Sequence, residues 1–160
     1  MTVRIAVLVI SDGVTAGTRT DSSGAAIVAW AGTEHYEVSA HAVVPDQTAA
    51  IASKLIEWAD GDIADVILTT GGTGLSARDV TPEATRAVIT REAPGISEAI
   101  RAAAIATVPT AALSRAVAGL RGSALIVNLP GSPGGVRDGL AVLGPLVPHI
   151  AALLRGNTAH

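Results

Sequence analysis

The sequence has 160 residues, of which 49% are apolar and 16% charged, and it contains no cysteine. This composition excludes a disordered chain, a disulfide-stabilised scaffold and any site built from thiolate ligands. The net charge is −3 and the basic residues are scattered, so the basic stripe that a nucleic-acid groove needs is absent from the sequence. The length suits a single domain, which we assign to residues 1–160 with an ordered core at about 3–155.

The apolar segments do not have the form of targeting or membrane signals. The first apolar run, at 5–10, is too short for the core of a signal peptide. The most apolar tract, at 141–154, is interrupted by glycine, proline and histidine and falls short of the roughly 20 residues of a membrane span. We therefore expect a cytoplasmic protein.

In the first half of the chain, the spacing of the apolar residues alternates between the period of a strand and that of a helix. A continuous, largely β-branched run at 3–10 predicts a strand that is buried on both faces. Helical periodicity follows twice, each time ahead of another apolar run. The predicted elements are strands at 3–10, 36–44 and 66–70 and helices that begin at 22–24 and at about 48.

The second half of the chain carries stronger helix signals. Thr81-Pro82-Glu83 predicts a helix start with a threonine N-cap, and Pro94-Gly95 predicts the end of that helix. The remaining predicted elements are a helix at 96–103, strands at 110–113 and 124–129 around a turn at 119–122, a helix near 136, and a last helix whose apolar face carries Leu146, Ile150, Leu153 and Leu154.

Strands that alternate with amphipathic helices predict an α/β fold, specifically a three-layer α/β/α sandwich around a mostly parallel sheet. The segment 110–129 is the candidate for an antiparallel edge.

Polar and glycine-rich residues follow the predicted strands. In an open parallel sheet, ligands bind beyond the carboxyl ends of the strands. Gly71, Gly72 and Gly74, with Thr73 between them, allow backbone N–H groups to approach an anion closely. The residues alone leave two interpretations of this turn open, a phosphate cradle and a tight connection between strand and helix.

Two better-known phosphate loops fit this turn poorly. A Walker loop needs Gly-Lys-Ser/Thr, and the only lysine in the sequence is the distant Lys54. The dinucleotide fingerprint matches loosely at 72–77, but it requires a helix that begins inside the loop, whereas the helix signal here is delayed to Thr81. NAD binding is therefore disfavoured.

Asp46 and Asp79 form the second group of candidate site residues. Asp46 alone also fits a helix cap or a turn, whereas Asp79 is left over in a loop beside the glycine turn. Two carboxylates near a phosphate site suit Mg²⁺, which takes oxygen ligands and shares them with phosphates. Arg78 fits either a phosphate contact or a solvated loop arginine.

These motifs resemble the molybdopterin adenylyltransferase family of molybdenum-cofactor biosynthesis, whose fold is also present in gephyrin. The resemblance is carried by two neighbouring motifs, TTGGTG at 69–74 and RDVTPE at 78–83. Supporting matches, in chain order, are 11–12 with Asp21 and Gly24, 45–46, 91–95, 113–115, 128–133 and 148–149.

The resemblance implies transfer of AMP from ATP to the terminal phosphate of molybdopterin with Mg²⁺, in a homotrimer or a hexamer, with hand-over of the product to a molybdate-inserting enzyme. It assigns activity to Asp46 and Asp79, the two carboxylates at which we also expect the Mg²⁺ to bind. It also assigns molybdopterin to Ser114 and Arg115. The residues that it places at the nucleotide and its phosphates are Ser11, Asp12, Gly71, Gly72, Thr73, Gly74 and Asn128.

The sequence departs from this family at Gly13, where many members carry arginine. The first alternative to the enzyme is a non-catalytic member of the same family that carries or scaffolds molybdopterin. The second is a nucleotide-binding regulatory domain unrelated to molybdenum. The retained Asp46 and Asp79 favour the enzyme.

Overall fold

A computed structural model describes residues 1–158 and contains a six-stranded sheet in the order β2-β1-β3-β6-β5-β4. The strands are β1 (Arg4–Ile10), β2 (Glu37–Val44), β3 (Val66–Thr70), β4 (Arg91–Glu92), β5 (Ala118–Arg121) and β6 (Ala124–Leu129). The helices are α1 (Asp12–Thr15), α2 (Ser22–Thr33), α3 (Thr48–Asp60), α4 (Thr81–Val88), α5 (Pro94–Ile105), α6 (Pro133–Leu143) and α7 (Val147–Leu154). Short 3₁₀ helices lie at Pro109–Leu113 and Gly144–Leu146.

The sheet is parallel across β2, β1, β3 and β6 and antiparallel at the β5–β4 edge. Alternate residues of β1 face opposite layers, with Ile5, Val7 and Val9 against α2, α6 and α7, and Leu8 and Ile10 against α3 and α4. The three-layer sandwich, the mostly parallel sheet and the doubly buried first strand are therefore confirmed.

The predictions around the antiparallel edge were wrong in detail. Residues 110–113 lie in a 3₁₀ helix rather than a strand, and Pro109 at its start supplies a fixed backbone angle but no N–H for a sheet. Gly119 lies in β5, not in a turn. Glycine is needed there because a Cβ would come within 2.7 Å of the Arg91 carbonyl oxygen in β4. Of the predicted turn, Gly122 has the left-handed backbone angle, with φ of 56°.

Helix α4 begins and ends differently from the sequence prediction. Val80 is its N-cap, and Thr81 is its first residue. The Thr81 hydroxyl instead donates a hydrogen bond to the carbonyl of Gly71, 2.9 Å away. The helix ends at Val88, and Pro94 begins α5, which is the helix position that proline favours.

The last helix packs through a face shifted from the predicted one. Val147 and Ala151 are buried, and the predicted Ile150 and Leu154 pack against the same core, whereas Leu146 and Leu153 are 42% and 39% exposed. The combined helical segment Pro133–Leu154 is long and apolar enough to cross a membrane by length and composition. It is, however, broken by the 3₁₀ turn at Gly144–Leu146 and contributes buried residues of both helices to the core beside the sheet.

Candidate functional site

A cavity of about 460 Å³, the first cavity, opens beyond the carboxyl ends of β1, β2 and β3. This is the edge of the sheet at which the sequence placed the ligand. Its wall includes the start of α2, the turn after β3 and the loop before α6. The lining residues that carry its chemistry are Ser11, Arg19, Asp21, Asp46, 71–74 and Asp79.

The turn at 71–74 requires glycine at its first two positions. Gly71 and Gly72 have φ of 102° and 68°, in the left-handed region that other residues rarely adopt. A Cβ at Gly71 would collide with the carbonyl oxygen of Ile10, and one at Gly72 would collide with the hydroxyl of Thr81. The turn is therefore packed against both β1 and α4.

The hydrogen bonds of this turn are asymmetric. Its carbonyl oxygens accept from the protein: Gly72 from the Thr81 N–H at 3.1 Å, Thr73 from the Arg115 N–H at 2.8 Å, and Gly74 from Arg115 Nε at 2.8 Å. The N–H groups of Gly72, Thr73 and Gly74 have no acceptor among residues 1–158. Unpaired N–H groups beside a cavity are the arrangement that binds anions such as phosphate.

Asp46 and Asp79 flank this turn and both line the first cavity. Asp46 Oδ1 lies 3.1 Å from the position a Cβ of Gly72 would take, and Asp79 Oδ2 lies 2.9 Å from that of Gly74. The Oδ2 of Asp46 accepts from the Asp12 N–H, and that of Asp79 accepts from the Ser76 N–H, both at 2.9 Å. The structure thus brings the two carboxylates and the turn together.

The site concentrates negative charge. Burial raises the pKa of Asp46, and the neighbouring carboxylates of Asp12 and Asp79 raise it further. Conversely, hydrogen bonds from Arg78 lower the pKa of Asp12. No cluster of three or more acidic or histidine side chains that could enclose a metal exists within 1–158. Two carboxylates still fit Mg²⁺, which completes its shell with phosphate oxygens and water.

Asp12 and Arg78 form an ion pair with each other. The Arg78 guanidinium donates to both Asp12 oxygens at 2.8 to 3.0 Å, and the Asp12 Oδ1 also accepts from the Asp46 N–H. Asp12 therefore lies behind Asp46 and supports it, and it does not line the cavity. Ser11 does line the cavity, and its hydroxyl caps α1 by accepting from the Val14 N–H.

Asn128 lies away from the first cavity and is completely buried. Its oxygen accepts from the Val117 N–H, and its amide nitrogen donates to the hydroxyls of Thr69 and Thr85, at 2.9 to 3.1 Å. All these partners lie on neighbouring elements of the fold. The side chain ties β3, β6 and α4 together, a structural task that its sequence position did not indicate.

A second cavity of about 430 Å³ lies on the other side of the glycine turn, and Asn128 forms part of its wall. The two cavities share Thr73, Gly74 and Ser132. The rest of the second cavity is formed largely by α5, the 3₁₀ helix at Pro109–Leu113 and the beginning of α6. Its lining includes Ile100, Ala104, Val108, Leu113 and Ser114.

Of the two residues predicted to contact molybdopterin, Ser114 lines the second cavity and Arg115 does not. Arg115 forms an ion pair with Glu83 and donates to the carbonyl oxygens of Gly74 and Asp79, the latter at 2.6 Å. Arg115 thus fixes the loop that carries Asp79. This bracing role joins residues far apart in the chain and has no local signal in the sequence.

Two further lining residues of the first cavity, Asp21 and Arg19, were assigned no role from the sequence. Asp21 caps α2 by accepting from the Gly24 N–H at 2.8 Å, and its Oδ2 lies 3.3 Å from Nε2 of His41. The spacing Asp-x-x-Gly ahead of a helical pattern was the available signal for that cap. Arg19 has no comparable signal, because its approach to the cavity depends on the fold of the loop at 16–21.

Comparison with known proteins gives a consistent assignment. Residues 6–149 match the family described as a probable molybdopterin binding domain. The chain is 39% identical to the molybdopterin adenylyltransferase of Helicobacter pylori, over 98% of this chain and 90% of that protein. It is 42% identical to the molybdopterin adenylyltransferase of Escherichia coli, over 87% of this chain and 72% of that protein.

A solved structure supports the same assignment. The crystal structure of the molybdopterin biosynthesis enzyme MoaB from Thermus thermophilus superposes with a TM-score of 0.91 at 45% identity, covering 97% of this chain and 98% of that one.

Proposed function

Because this chain belongs to the molybdopterin adenylyltransferase family, we propose that it transfers AMP from ATP to the terminal phosphate of molybdopterin and releases pyrophosphate. The observation that carries this proposal is the turn at 71–74, with its free N–H groups, between the carboxylates of Asp46 and Asp79. The proposed reaction is the one for which the bacterial relatives are named, and the two cavities offer space for two substrates.

The two cavities support a division of the substrates. Nucleotide phosphates suit the first cavity, which carries the free N–H groups and the carboxylates. The second cavity, with Ile100, Ala104 and Val108 in its wall, suits a flat ring. The reacting phosphates would then meet at the shared wall of Thr73, Gly74 and Ser132.

The proposed reaction is an in-line substitution at phosphorus. An oxygen of the molybdopterin phosphate forms a bond to the α-phosphorus of ATP while the bond from that phosphorus to the bridging oxygen breaks. Pyrophosphate leaves with the electron pair of the broken bond. Phosphate monoesters are largely ionised near neutral pH, so the attack needs no strong base. Positioning and charge neutralisation carry the catalysis.

The N–H groups of 72–74 supply part of that neutralisation. The carbonyl groups of the same three residues accept hydrogen bonds from Thr81 and Arg115, which fixes the backbone of the turn. The N–H groups therefore need not reorganise when charge develops on the phosphate oxygens. Asp46 and Asp79 would hold Mg²⁺, which supplies positive charge to the triphosphate when bound. Asp12 and Arg115 position these two acids through the backbone contacts described above.

Three further properties belong to the proposal through the family resemblance. They are assembly as a homotrimer, assembly as a hexamer in its place, and hand-over of the adenylylated product to a molybdate-inserting enzyme. The cytoplasmic location that we also propose rests on the sequence pattern instead.

The direct test is pyrophosphate release from the purified protein supplied with ATP, Mg²⁺ and molybdopterin. The proposal predicts release that depends on all three additions. Binding of molybdopterin without pyrophosphate release would instead establish the carrier or scaffold. Binding of ATP or AMP without affinity for the pterin would establish the unrelated nucleotide-binding domain.

A further inference from the structure

The first cavity is rich in carboxylates and poor in positive charge. Asp21, Asp46 and Asp79 line it, and Arg19 is the one cationic side chain in its wall within the described chain. A polyphosphate that enters this cavity meets these acids, so a fixed cation there has a large effect on its binding.

The alkyl stem of Arg19 is seated on Gly13. A Cβ added at Gly13 would lie 2.5 Å from Cδ and 2.8 Å from Cγ of Arg19, closer than such atoms approach. The backbone also keeps the two residues together, because the Arg19 N–H donates a hydrogen bond to the carbonyl of Gly13 at 3.1 Å. The missing side chain at position 13 therefore makes room for the arginine.

The charge of Arg19 is left free for a ligand. Among residues 1–158, no carboxylate lies within ion-pair distance of it, although Asp21 is only two residues away. Asp21 is engaged with α2 and His41. The arginines that do form ion pairs with acids are Arg4, Arg78, Arg86, Arg115, Arg121 and Arg155.

We propose that Arg19 binds the β- and γ-phosphates of the nucleotide, the part that leaves as pyrophosphate. This inference rests on the proposed function. Arg19 lines the first cavity only, so it is not part of the shared wall at which we place the reacting α-phosphate. The planar guanidinium matches phosphate oxygens with two parallel hydrogen bonds, which an ammonium group cannot form.

The test is calorimetric titration of the full-length protein with pyrophosphate and, separately, with ATP, both in the presence of Mg²⁺. Arg19→Ala is expected to weaken pyrophosphate binding about tenfold or more, the loss of one charge-assisted contact, and Arg19→Lys to weaken it less. Arg91→Ala removes an exposed arginine from the edge strand β4 and is expected to bind as the wild type does.

A second variant moves the arginine without removing its charge. Gly13→Ala places a methyl group where the Arg19 stem lies, and Gly13 has no left-handed backbone angle that would forbid alanine. We expect weaker pyrophosphate binding than in the wild type and stronger binding than in Arg19→Ala.

The titrations distinguish a failure of the role of Arg19 from a failure of the proposed nucleotide site. If the wild type and Arg19→Ala bind pyrophosphate equally while both bind ATP, the role of Arg19 is wrong and the nucleotide site stands. If the wild type binds neither ligand, the proposed nucleotide site and the role of Arg19 are both wrong.

Discussion

The first and second cavities lie on opposite sides of one glycine turn, and their walls differ in kind. The first has the carboxylates of Asp46 and Asp79 and the free N–H groups of 72–74. The second is lined mostly by apolar side chains of α5 and of the 3₁₀ helix at Pro109–Leu113, and Arg101, Asp138 and the buried amide of Asn128 also belong to its wall. The hydrogen bonds of that amide are all internal. The turn therefore separates a compartment suited to charge from one suited to a flat ring.

Some residues of the site reach a cavity, and others only hold those residues in place. Asp79 reaches the first cavity, while Arg115 holds the loop behind it. Asn128 reaches the wall of the second cavity, but its polar atoms are already used by Val117, Thr69 and Thr85. Variants on the two sides of the turn should consequently fail in different ways.

The largest expected effect is on the charged side. Asp79→Asn should lower turnover by at least 100-fold, roughly 3 kcal/mol of transition-state stabilisation, because the variant loses a carboxylate charge beside the turn. An asparagine oxygen can still accept from the Ser76 N–H, so the loop should keep its shape. The assay is pyrophosphate release. Glu98→Gln, an exposed change of the same type on α5, is the matched control. Turnover at the wild-type rate in Asp79→Asn would contradict the role of this acid.

The next effect is on folding. Asn128→Ala should lower the free energy of unfolding by about 3 kcal/mol, because it leaves the buried Val117 N–H without its partner and opens a small void. Urea unfolding measures this change. Asn157→Ala, at an exposed position, should change it by less than about 0.5 kcal/mol. Equal stability of the two variants would show that the hydrogen bonds of Asn128 do not stabilise the fold.

A third variant sharpens the contrast between the cavities. Ala104→Trp fills the second cavity and should weaken molybdopterin binding about tenfold while ATP binding stays at the wild-type value. Ala102→Trp, on the exposed side of α5, is the control. Weakened binding of both substrates by Ala104→Trp would mean that the cavities do not divide them.

The smallest effect is a gain in stability. Because burial raises the pKa of Asp46, folding works against its ionised form at neutral pH. Asp46→Asn should therefore raise the unfolding temperature at pH 7, although we expect it to lower turnover. The gain should shrink as the pH falls towards the usual aspartate value of 3.8, where the wild-type carboxyl also becomes neutral. Thermal unfolding of both proteins between pH 4 and 7 measures this; a gain that does not change with pH would contradict it.

The sequence predicted the parallel core because its signals are local. The β-branched run of β1 and the proline at the start of α4 each act within a few residues. The strand prediction at 110–113 was wrong because four residues are too few to show a distinctive period. The turn prediction at Gly119 was wrong because the requirement for glycine there comes from contact with a neighbouring strand.

The candidate site divides in the same way. The convergence of Asp46, Asp79 and the turn follows from the rule that parallel strands end at one edge, and the structure places them together there. The pairing of Asp12 with Arg78 and the seat of Arg19 on Gly13 join elements whose contact is set by tertiary structure. No local pattern encodes either contact.

The most direct test of the divided site is a crystal structure of the protein with the adenylylated pterin. We expect the AMP phosphate within hydrogen-bond distance of the N–H groups of 72–74, with the nucleotide in the first cavity and the pterin ring in the second. A pterin ring seated between Asp46 and Asp79, or a nucleotide that does not touch the turn, would contradict it.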